Sequence, residues 1–483
     1  MAAGITRSRW LLSALVAVAM LGGLRGQDAQ AETLRGALAQ AYKYNPDLEA
    51  ERANLRATDE DVPRAKSGYR PRLEANADVG SVRTRRQANS GPGFTTRRNP
   101  RGFGVRVDQN LFDGFQTTNN VKAAEASVRA GRAALQVTEQ VVLLDAVTAY
   151  LNVVRDQAIV KLRENNVTVL SSDLRATQDR FNAGEVTRTD VAQSRARRSG
   201  AVSDLDQARA DLRRSRANYL RIVGSVPTNL TIPRVPEKLL PKSLEKAKNL
   251  GVNESPSVVS ALYLEQAARH NVDAIWGELL PQLSASGFYE KRFQDAEGFS
   301  RGETTGVIGN LRVPLYQGGE VKARVRQAKH LHVRQIQIVA RERTRARERA
   351  EAAWAELTAA RAQLRSDQSQ VQANQIALSG VREEEKVGQR TLLDVLNAEQ
   401  ELLDAQVALV TTERDLVLSA YALIATTGRL TSKELGLTKS VYDPEEHYFD
   451  VRRKWFGISI THQDGRSERV DVWNSHGKAR TYK

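Results

Sequence analysis

The sequence predicts a mixed α+β membrane protein whose two halves share one plan. Three observations support this fold class. Segments of about ten residues alternate between apolar and polar side chains, as membrane β-strands do. Proline-free stretches of about seventy residues follow them and predict helical rods of about 100 Å. The order of these elements then occurs a second time along the chain.

The N-terminus is predicted to be a secretory signal peptide that covers residues 1–31. Arg7 and Arg9 give it a positive start, and the apolar run 11–24 is too short to span a membrane as a helix. Ala29-Gln30-Ala31 then fits the small-residue pattern of a cleavage site. The chain is therefore expected to be exported, and a retained membrane anchor is the alternative.

The amino-acid composition excludes several kinds of functional site and favours one kind of partner. The 483 residues include no cysteine, which excludes disulfides, thiolate metal sites and a lipoprotein cysteine. The six histidines show no metal-ligand spacing, so no metal and no cofactor is expected. The net charge of +15 favours anionic partners. In an exported protein these would be lipopolysaccharide or acidic protein surfaces, not nucleic acid. No run of about eighteen apolar residues follows the signal peptide, so no transmembrane helix is predicted.

The two halves of the chain resemble each other at a constant offset. Three pairs of residues lie 204 positions apart, namely Gly184 and Gly388, Asp190 and Asp394, and Gly224 and Gly428. Each half has the order helix, two strands, long helix, turn, helix. The sequence therefore predicts a first repeat, a proline-rich connector, a second repeat and a C-terminal extension, at residues 32–224, 225–250, 251–428 and 429–483.

Each repeat contains two segments with the alternation of β-strands. The clearest apolar positions are Leu73, Ala75, Ala77 and Val79, followed by Phe103, Val105, Val107 and Leu111. Four strands cannot close a membrane barrel, which needs about eight, and their edges cannot stay unpaired in lipid. Either they form a small soluble sheet, or several chains pool their strands. Three chains would supply twelve.

Residues 83–101 and 290–303 are expected to be loops at the outer turns of these strands. The first loop contains six arginines among glycine, asparagine and threonine, at positions 83, 85, 86, 97, 98 and 101. A solvated loop is one interpretation. Binding to anionic lipopolysaccharide at the cell surface is the other.

The helical segments are too long for an ordinary globule. Residues 113–182 contain no proline, and apolar residues recur at steps of three and four, as on one face of a helix. The second outgoing rod is predicted at about residues 319–387. A simple antiparallel coiled coil is one interpretation. Because both faces carry charged residues, the other is a wall of helices around a hollow, water-filled cylinder.

Taken together, these features resemble the TolC family of outer-membrane efflux and secretion channels. The residues that support the resemblance are Thr33 to Leu38 with Asn45-Pro46, Phe112-Asp113-Gly114, Tyr316 to Gly319, and the two Gly-x5-Asp turns. The resemblance implies a homotrimer with a twelve-stranded outer-membrane β-barrel. A tunnel of twelve helices would continue it through the periplasm, encircled by the first helix, the connector and the C-terminal extension.

The resemblance also implies a gate at the periplasmic tip, where the turns with Gly184 and Gly388 would lie. Thr189 and Asp190 are on one turn and Arg390 is on the other, so an Asp190–Arg390 contact would hold the tip closed. Glu385 stands where the family often has a tyrosine in this latch. The alternative for both turn aspartates is that they are helix N-caps.

A constriction ring is expected at the same tip. By resemblance, Asp394 would supply three negative charges in the trimer and favour cations. Asn397 replaces a second carboxylate of this ring, which would make the constriction less electronegative.

The expected function is a passive channel without catalysis, because no phosphate loop, nucleophile elbow or catalytic triad occurs. The resemblance implies efflux of toxic small molecules and drugs, or type I protein secretion. A periplasmic adaptor and a proton-driven or ATP-driven inner-membrane pump would open the channel. The competing hypothesis is a soluble periplasmic coiled-coil scaffold or adaptor.

Overall fold

The structure is a computed structural model that describes residues 33–87, 89–228, 230–296, 298–438 and 441–460. The predicted signal peptide lies outside these residues. The described chain divides into two compact units. The helical unit takes in the described residues up to Leu48, then Thr138–Gly251 and Arg347–Val441. The sheet unit takes in Glu49–Val137, Val252–Ala346 and the described residues from Tyr442 onward. Each unit therefore contains parts of both predicted repeats.

Ten α-helices are present among the described residues. In chain order they are α1 Leu34–Tyr44, α2 Pro46–Asp59, α3 Asp61–Lys66, α4 Gln116–Asn182, α5 Arg188–Val223, α6 Leu244–Glu254, α7 Pro256–Trp276, α8 Glu320–Lys386, α9 Leu392–Thr426 and α10 Glu446–Val451. Short 3-10 turns precede β1 and β5 and interrupt the connector, at Ser67–Tyr69, Gly277–Leu279 and Glu237–Leu239.

Six β-strands are present in the same residues. They are β1 Arg72–Val79, β2 Val82–Arg86, β3 Phe94–Arg98, β4 Arg101–Phe112, β5 Gln282–Phe293 and β6 Arg301–Arg312. Four of them form one antiparallel sheet in the order β1-β4-β5-β6, and β2 and β3 form a separate hairpin.

The predicted helical rods are confirmed. Helices α4 and α8 each contain 67 residues, which corresponds to about 100 Å at 1.5 Å per residue. The returning helices α5 and α9 contain 36 and 35 residues. Helix α4 also includes a window whose mean hydropathy of 1.3 suits a membrane span by length and composition alone. Half of that window is buried inside the chain.

The core of the helical unit uses small side chains where helices approach one another. Ala247, Ala353 and Ala420 are buried in one cluster with two leucines from α8 and α9. Tyr150 and Tyr219 are also fully buried, with ring centroids 6.4 Å apart. The Tyr150 hydroxyl donates to the Thr231 carbonyl at 2.8 Å, which fastens the connector to α4.

The Asn45-Pro46 motif starts α2 and ties it to another helix. Asn45 Oδ1 accepts the backbone N–H of Asp47 at 2.9 Å, as an N-cap does. The Asn45 amide nitrogen donates to the Ile222 carbonyl at 3.1 Å, near the C-terminus of α5. Pro46 occupies the first helical position, where a missing N–H has no consequence.

The main sheet places its apolar side chains on one face. Leu73 is opposite Val107 in the register of β1 and β4, and Leu283 is opposite Leu311 in that of β5 and β6. Paired residues of an antiparallel sheet point to the same side. The alternation predicted for the strands of the first repeat is therefore confirmed, and the weaker pattern in the second repeat also forms strands.

Both predicted outer loops are partly strand, so the prediction of plain loops at 83–101 and 290–303 was wrong. The first contains most of the hairpin β2–β3 and the beginning of β4, and in the second β5 continues to Phe293 and β6 begins at Arg301. Valine, threonine and phenylalanine in this hairpin favour extended backbone. Their pattern was hidden because arginine occupies both faces.

The turn from β4 into α4 explains the Phe112-Asp113-Gly114 motif. Asp113 Oδ2 accepts the backbone N–H of Thr117 at 2.7 Å, which caps the helix. Gly114 has φ +69°, and a Cβ there would lie 2.2 Å from the Gly277 carbonyl oxygen. Only glycine fits a position with both this backbone angle and this close approach.

Candidate functional site

The candidate site comprises the two turns that join the long helices, α4 to α5 and α8 to α9. Gly184 and Gly388 have φ angles of +81° and +79°, a region that favours glycine because it has no Cβ. In each turn, the third residue after the end of the helix donates its backbone N–H to a carbonyl oxygen in the last turn of that helix. Glu185 N donates to Arg180 O at 2.9 Å, and Gln389 N donates to Glu384 O at 2.9 Å. The glycines therefore fix two turns of the same geometry.

Each turn leads into a helix that begins with a capping box. Thr187 is the N-cap of α5, and its Oγ1 accepts the Asp190 N–H at 3.3 Å. Asp190 Oδ2 in turn accepts the Thr187 N–H at 2.8 Å and hydroxyl at 2.7 Å. Thr391 and Asp394 repeat this arrangement at 3.3, 2.9 and 2.8 Å.

The capping boxes correct the alternative in which the aspartates are N-caps. The N-caps are Thr187 and Thr391, and the aspartates occupy the third helical position. The hydrogen bonds from the threonine N–H, and then from its hydroxyl, hold the pKa of Asp190 and of Asp394 below the usual value. Both carboxylates are therefore charged near neutral pH. The Thr-x-x-Asp spacing, present twice, was the sequence signal for this role.

The gate residues expected from the sequence have other neighbours within one chain. Arg390 Nε donates to Glu384 Oε2 at 2.9 Å, beside its own turn. Asp190 is engaged with Thr187, and Thr189 is exposed on the first turn of α5. The structure thus assigns Arg390 and Asp190 partners in their own hairpins. The expected Asp190–Arg390 contact remains a prediction for neighbouring protomers.

Two polar contacts that were not foreseen link the α4–α5 hairpin to the α8–α9 hairpin. Arg180 Nη1 donates to Glu385 Oε1 at 2.6 Å, and Arg180 Nε lies 3.4 Å from Glu185. Farther along, Arg197 Nη2 donates to Asn397 Oδ1 at 2.6 Å. At the 204-residue offset the equivalents of Arg180 and Arg197 are Glu384 and Glu401, which are not their partners, so the repeat did not indicate these contacts.

Glu385 and Asn397 both lie in the site. Their hydrogen-bond partners within one chain differ from those expected for the latch and the ring. Glu385 occupies a position where only 18% of its side chain is exposed, and it accepts from Arg180. Asn397 accepts from Arg197 on α5. Both residues act here as acceptors between the two hairpins of one chain.

A partly buried carboxyl pair lies deeper between the same hairpins. Glu399 of α9 is 7% exposed, and Arg382 of α8 donates to its Oε1. Asp173 of α4 is the neighbouring acid. Burial, then the charge of Glu399, raises the pKa of Asp173 to about 6, although Arg382 opposes the shift. Asp173 Oδ2 and Glu399 Oε2 are buried without a donor, so the pair is suited to share a proton.

Apolar contacts beneath these polar groups complete the junction. Leu170, Ala201 and Leu396 form one buried cluster, which joins α4, α5 and α9. A cavity of about 540 Å³ lies beside the carboxyl pair, lined by residues of α4, α8 and α9 that include Asp173, Arg382 and Glu399. The junction of the two hairpins is therefore closely packed at the apolar cluster and open at the cavity.

The arrangement is suited to conformational change. The described residues contain no group of three or more metal-ligating side chains close enough to hold an ion. Exposed ion pairs such as Arg390–Glu384 contribute about 0–1 kcal/mol each. A junction held by several weak polar contacts can open and close at modest free-energy differences.

Comparisons with known proteins agree with this architecture. The family model described as outer membrane efflux protein matches the chain twice, at residues 37–225 and 251–429. The chain is 41% identical to the outer membrane efflux protein BepC of Brucella suis biovar 1 over 458 residues, which covers 94% of this chain and 97% of BepC.

More distant relatives include proteins named for secretion. The chain is 24% identical to the outer membrane protein TolC of Escherichia coli over 431 residues, with 84% of both chains covered. It is also 24% identical to the alkaline protease secretion protein AprF of Pseudomonas aeruginosa over 311 residues, with 62% of this chain and 64% of AprF covered. The CmeC outer membrane channel of Campylobacter jejuni has the same fold, with a TM-score of 0.75, 18% identity, and 88% of this chain and 90% of CmeC covered.

Proposed function

Because this chain belongs to the outer membrane efflux protein family, whose TolC-type members are outer-membrane channels for efflux or type I secretion, we propose that three copies form one duct. The duct crosses the outer membrane as a twelve-stranded β-barrel and continues into the periplasm as a tunnel of helices. The two matches to one family model support an internal duplication, with repeats at 32–224 and 251–428.

The observation that supports the trimer most directly is the state of the sheet in a single chain. Its apolar face is uncovered, with Leu73, Val307 and Leu311 exposed by 69%, 82% and 66%. Strands β1 and β6 are its two edges. Lipid would cover such a face, but it cannot satisfy open strand edges. Pairing β6 of one protomer with β1 of the next removes both edges, and three sheets of four strands exceed the minimum of about eight.

Cysteine cross-linking tests this closure, because the natural chain has no cysteine. We expect Ala75→Cys on β1, combined in turn with single cysteines at positions 307–310 on β6, to give disulfide-linked trimers under oxidation. β1 and β6 are separated by two strands in one chain, so only contact between chains can join them.

The control places the second cysteine at Val105, the neighbour of Ala75 within the same chain. That pair is expected to give an internally linked monomer. If all β6 partners leave the protein monomeric on denaturing gels, the pooled barrel is wrong.

The turns of the candidate site would lie at the periplasmic tip of this duct. Arg180–Glu385 and Arg197–Asn397 would hold the two hairpins of one protomer together, and Asp190 with Thr189 would meet Arg390 of the neighbouring protomer. Asp394 would contribute a ring of three charged carboxylates that favours cations. A periplasmic adaptor and an inner-membrane pump would open the tip by separating these hairpins. Helix α1, the connector and the C-terminal extension would surround the tunnel.

A further inference from the structure

The hairpin β2–β3 presents three exposed arginines on one face. Arg83 and Arg97 are directly opposite each other across the two strands. Arg85 follows Arg83 by two positions, so it points to the same side. All three residues are exposed. The face is therefore a short ladder of guanidinium groups, which we call the arginine face.

Within the described parts of the chain, no carboxylate neutralises the arginine face. None of the ion pairs there involves Arg83, Arg85 or Arg97. The adjoining main sheet differs, because Lys291 Nζ lies 2.6 Å from Glu303 and Arg292 is paired with Asp78 and Glu290. Lys291 and Arg292 of the main sheet thus have carboxylate partners, whereas the three arginines of the arginine face have none among the described residues.

An unbalanced ladder of this kind is destabilising without a ligand. Like charges directly opposite in an antiparallel pair repel each other, with Cβ atoms about 5 Å apart. A phosphate group between them would remove this repulsion, because guanidinium groups bind phosphate oxygens in bidentate fashion. The geometry therefore suits a ligand that carries several phosphates.

We propose that the arginine face binds the phosphate groups of lipopolysaccharide. This inference rests on the proposed function, which places the hairpin at the outer end of the barrel. The opposite face of the hairpin carries Val82 and Phe94, exposed by 42% and 49%, each directly across from an arginine, Arg98 and Arg86. Exposed apolar side chains and guanidinium groups thus occur together on this hairpin, and a ligand with both acyl chains and phosphates fits it better than free phosphate does. The contacts between the arginines and the phosphates would stabilise the barrel in the outer leaflet.

Binding of lipopolysaccharide to the purified full-length protein in detergent tests the proposal. The test variant is Arg83→Gln/Arg85→Gln/Arg97→Gln. The matched control, Arg343→Gln/Arg347→Gln/Arg349→Gln, removes the same charge from three exposed arginines of α8. We expect the hairpin variant to raise the Kd at least about tenfold through the loss of charge-assisted contacts, and the control to bind like the natural protein.

Two further probes use the natural protein and do not depend on folding of a variant. Dephosphorylated lipopolysaccharide should bind about as weakly as intact lipopolysaccharide binds the hairpin variant. Inorganic phosphate at millimolar concentration should not displace intact lipopolysaccharide. Equal binding of the natural protein, the hairpin variant and the control would overturn the proposal, and so would full displacement by inorganic phosphate.

Channel recordings separate this inference from the proposed function. Planar-bilayer conductance of the hairpin variant should equal that of the natural protein, because the hairpin lies outside the main sheet. Normal conductance with unchanged lipopolysaccharide binding would refute the arginine face alone. Absence of channels from the natural protein would refute the proposed function instead.

Discussion

The aspartates of the two helix turns can serve the cap and the gate at once. One oxygen of Asp190 and one of Asp394 accept the protons of the capping threonines. A carboxylate has a second oxygen with free lone pairs. The lowered pKa of each group keeps it charged when the tip is near neutral pH. A change at either aspartate therefore affects helix stability and charge together, so the gate is better tested through its arginines.

Replacing the arginines should loosen the closed tip. We expect Arg180→Ala and Arg390→Ala each to raise the single-channel conductance in planar bilayers severalfold. Each exposed contact contributes about 0–1 kcal/mol, and the proposed trimer would lose three of them. Arg365→Ala is the control, since this exposed arginine of α8 lies away from the turns.

Glu384 distinguishes two explanations for an effect at Arg390. If Arg390 only braces its own turn through Glu384, Glu384→Ala should reproduce the rise in conductance. If Arg390 instead holds the tip closed through Asp190 of the neighbouring protomer, Asp190→Asn should raise conductance and Glu384→Ala should not. Unchanged conductance in Arg390→Ala and Asp190→Asn would count against the latch.

At the scale of elements, the Asp173–Glu399 pair makes the junction of α4, α8 and α9 sensitive to pH. The folded pKa of Asp173 is raised to about 6 from the ordinary value of 3.8. Between these two pH values the folded state therefore binds more protons than the unfolded state. The free energy of unfolding falls as the pH rises through this range, and the contribution of the protonated Asp173 is lost above about pH 6. Asp173→Asn cannot ionise and should abolish this loss.

Thermal unfolding between about pH 4 and pH 7 measures this effect. The Tm of Asp173→Asn minus that of the natural protein should be near zero at about pH 4, rise as the pH increases to about 6, and stay positive above it. Asp179→Asn, which removes an exposed carboxylate from the same helix, is the matched control. A difference for Asp173→Asn that is constant across the range would contradict the shared proton.

The elements divide into those that local pattern could predict and those that it could not. The rods α4 and α8 and the strands β1 and β4 followed from periodicity, because each buries or exposes one continuous face. The hairpin β2–β3 was missed because its arginines obscure the alternation.

The Arg180–Glu385 contact joins residues far apart in sequence and depends on the rotation of two helices about their axes, which composition does not determine. The Thr-x-x-Asp spacing could predict the capping boxes. The alternative for the aspartates was an N-cap, but they occupy the third helical position and the threonines are the N-caps.

At the scale of the whole molecule, two features of the chain suit a channel. The helix turns hold ionic and apolar contacts that suit opening and closing, and the sheet has an uncovered apolar face that suits lipid. Relatives named for efflux and for protease secretion share this plan. The transported cargo is thus expected to be set by the pump and adaptor that dock on the channel.

Deletion of the gene in its own organism tests which cargo the channel serves. Because the chain matches the efflux protein BepC over nearly its full length and AprF over less than two thirds, we expect higher susceptibility to drugs and detergents with an unchanged profile of secreted proteins. A plasmid copy of the natural gene should restore resistance. Loss of a secreted protein with unchanged drug susceptibility would assign the channel to type I secretion. Loss of neither would leave the pump-driven duct without support in this organism.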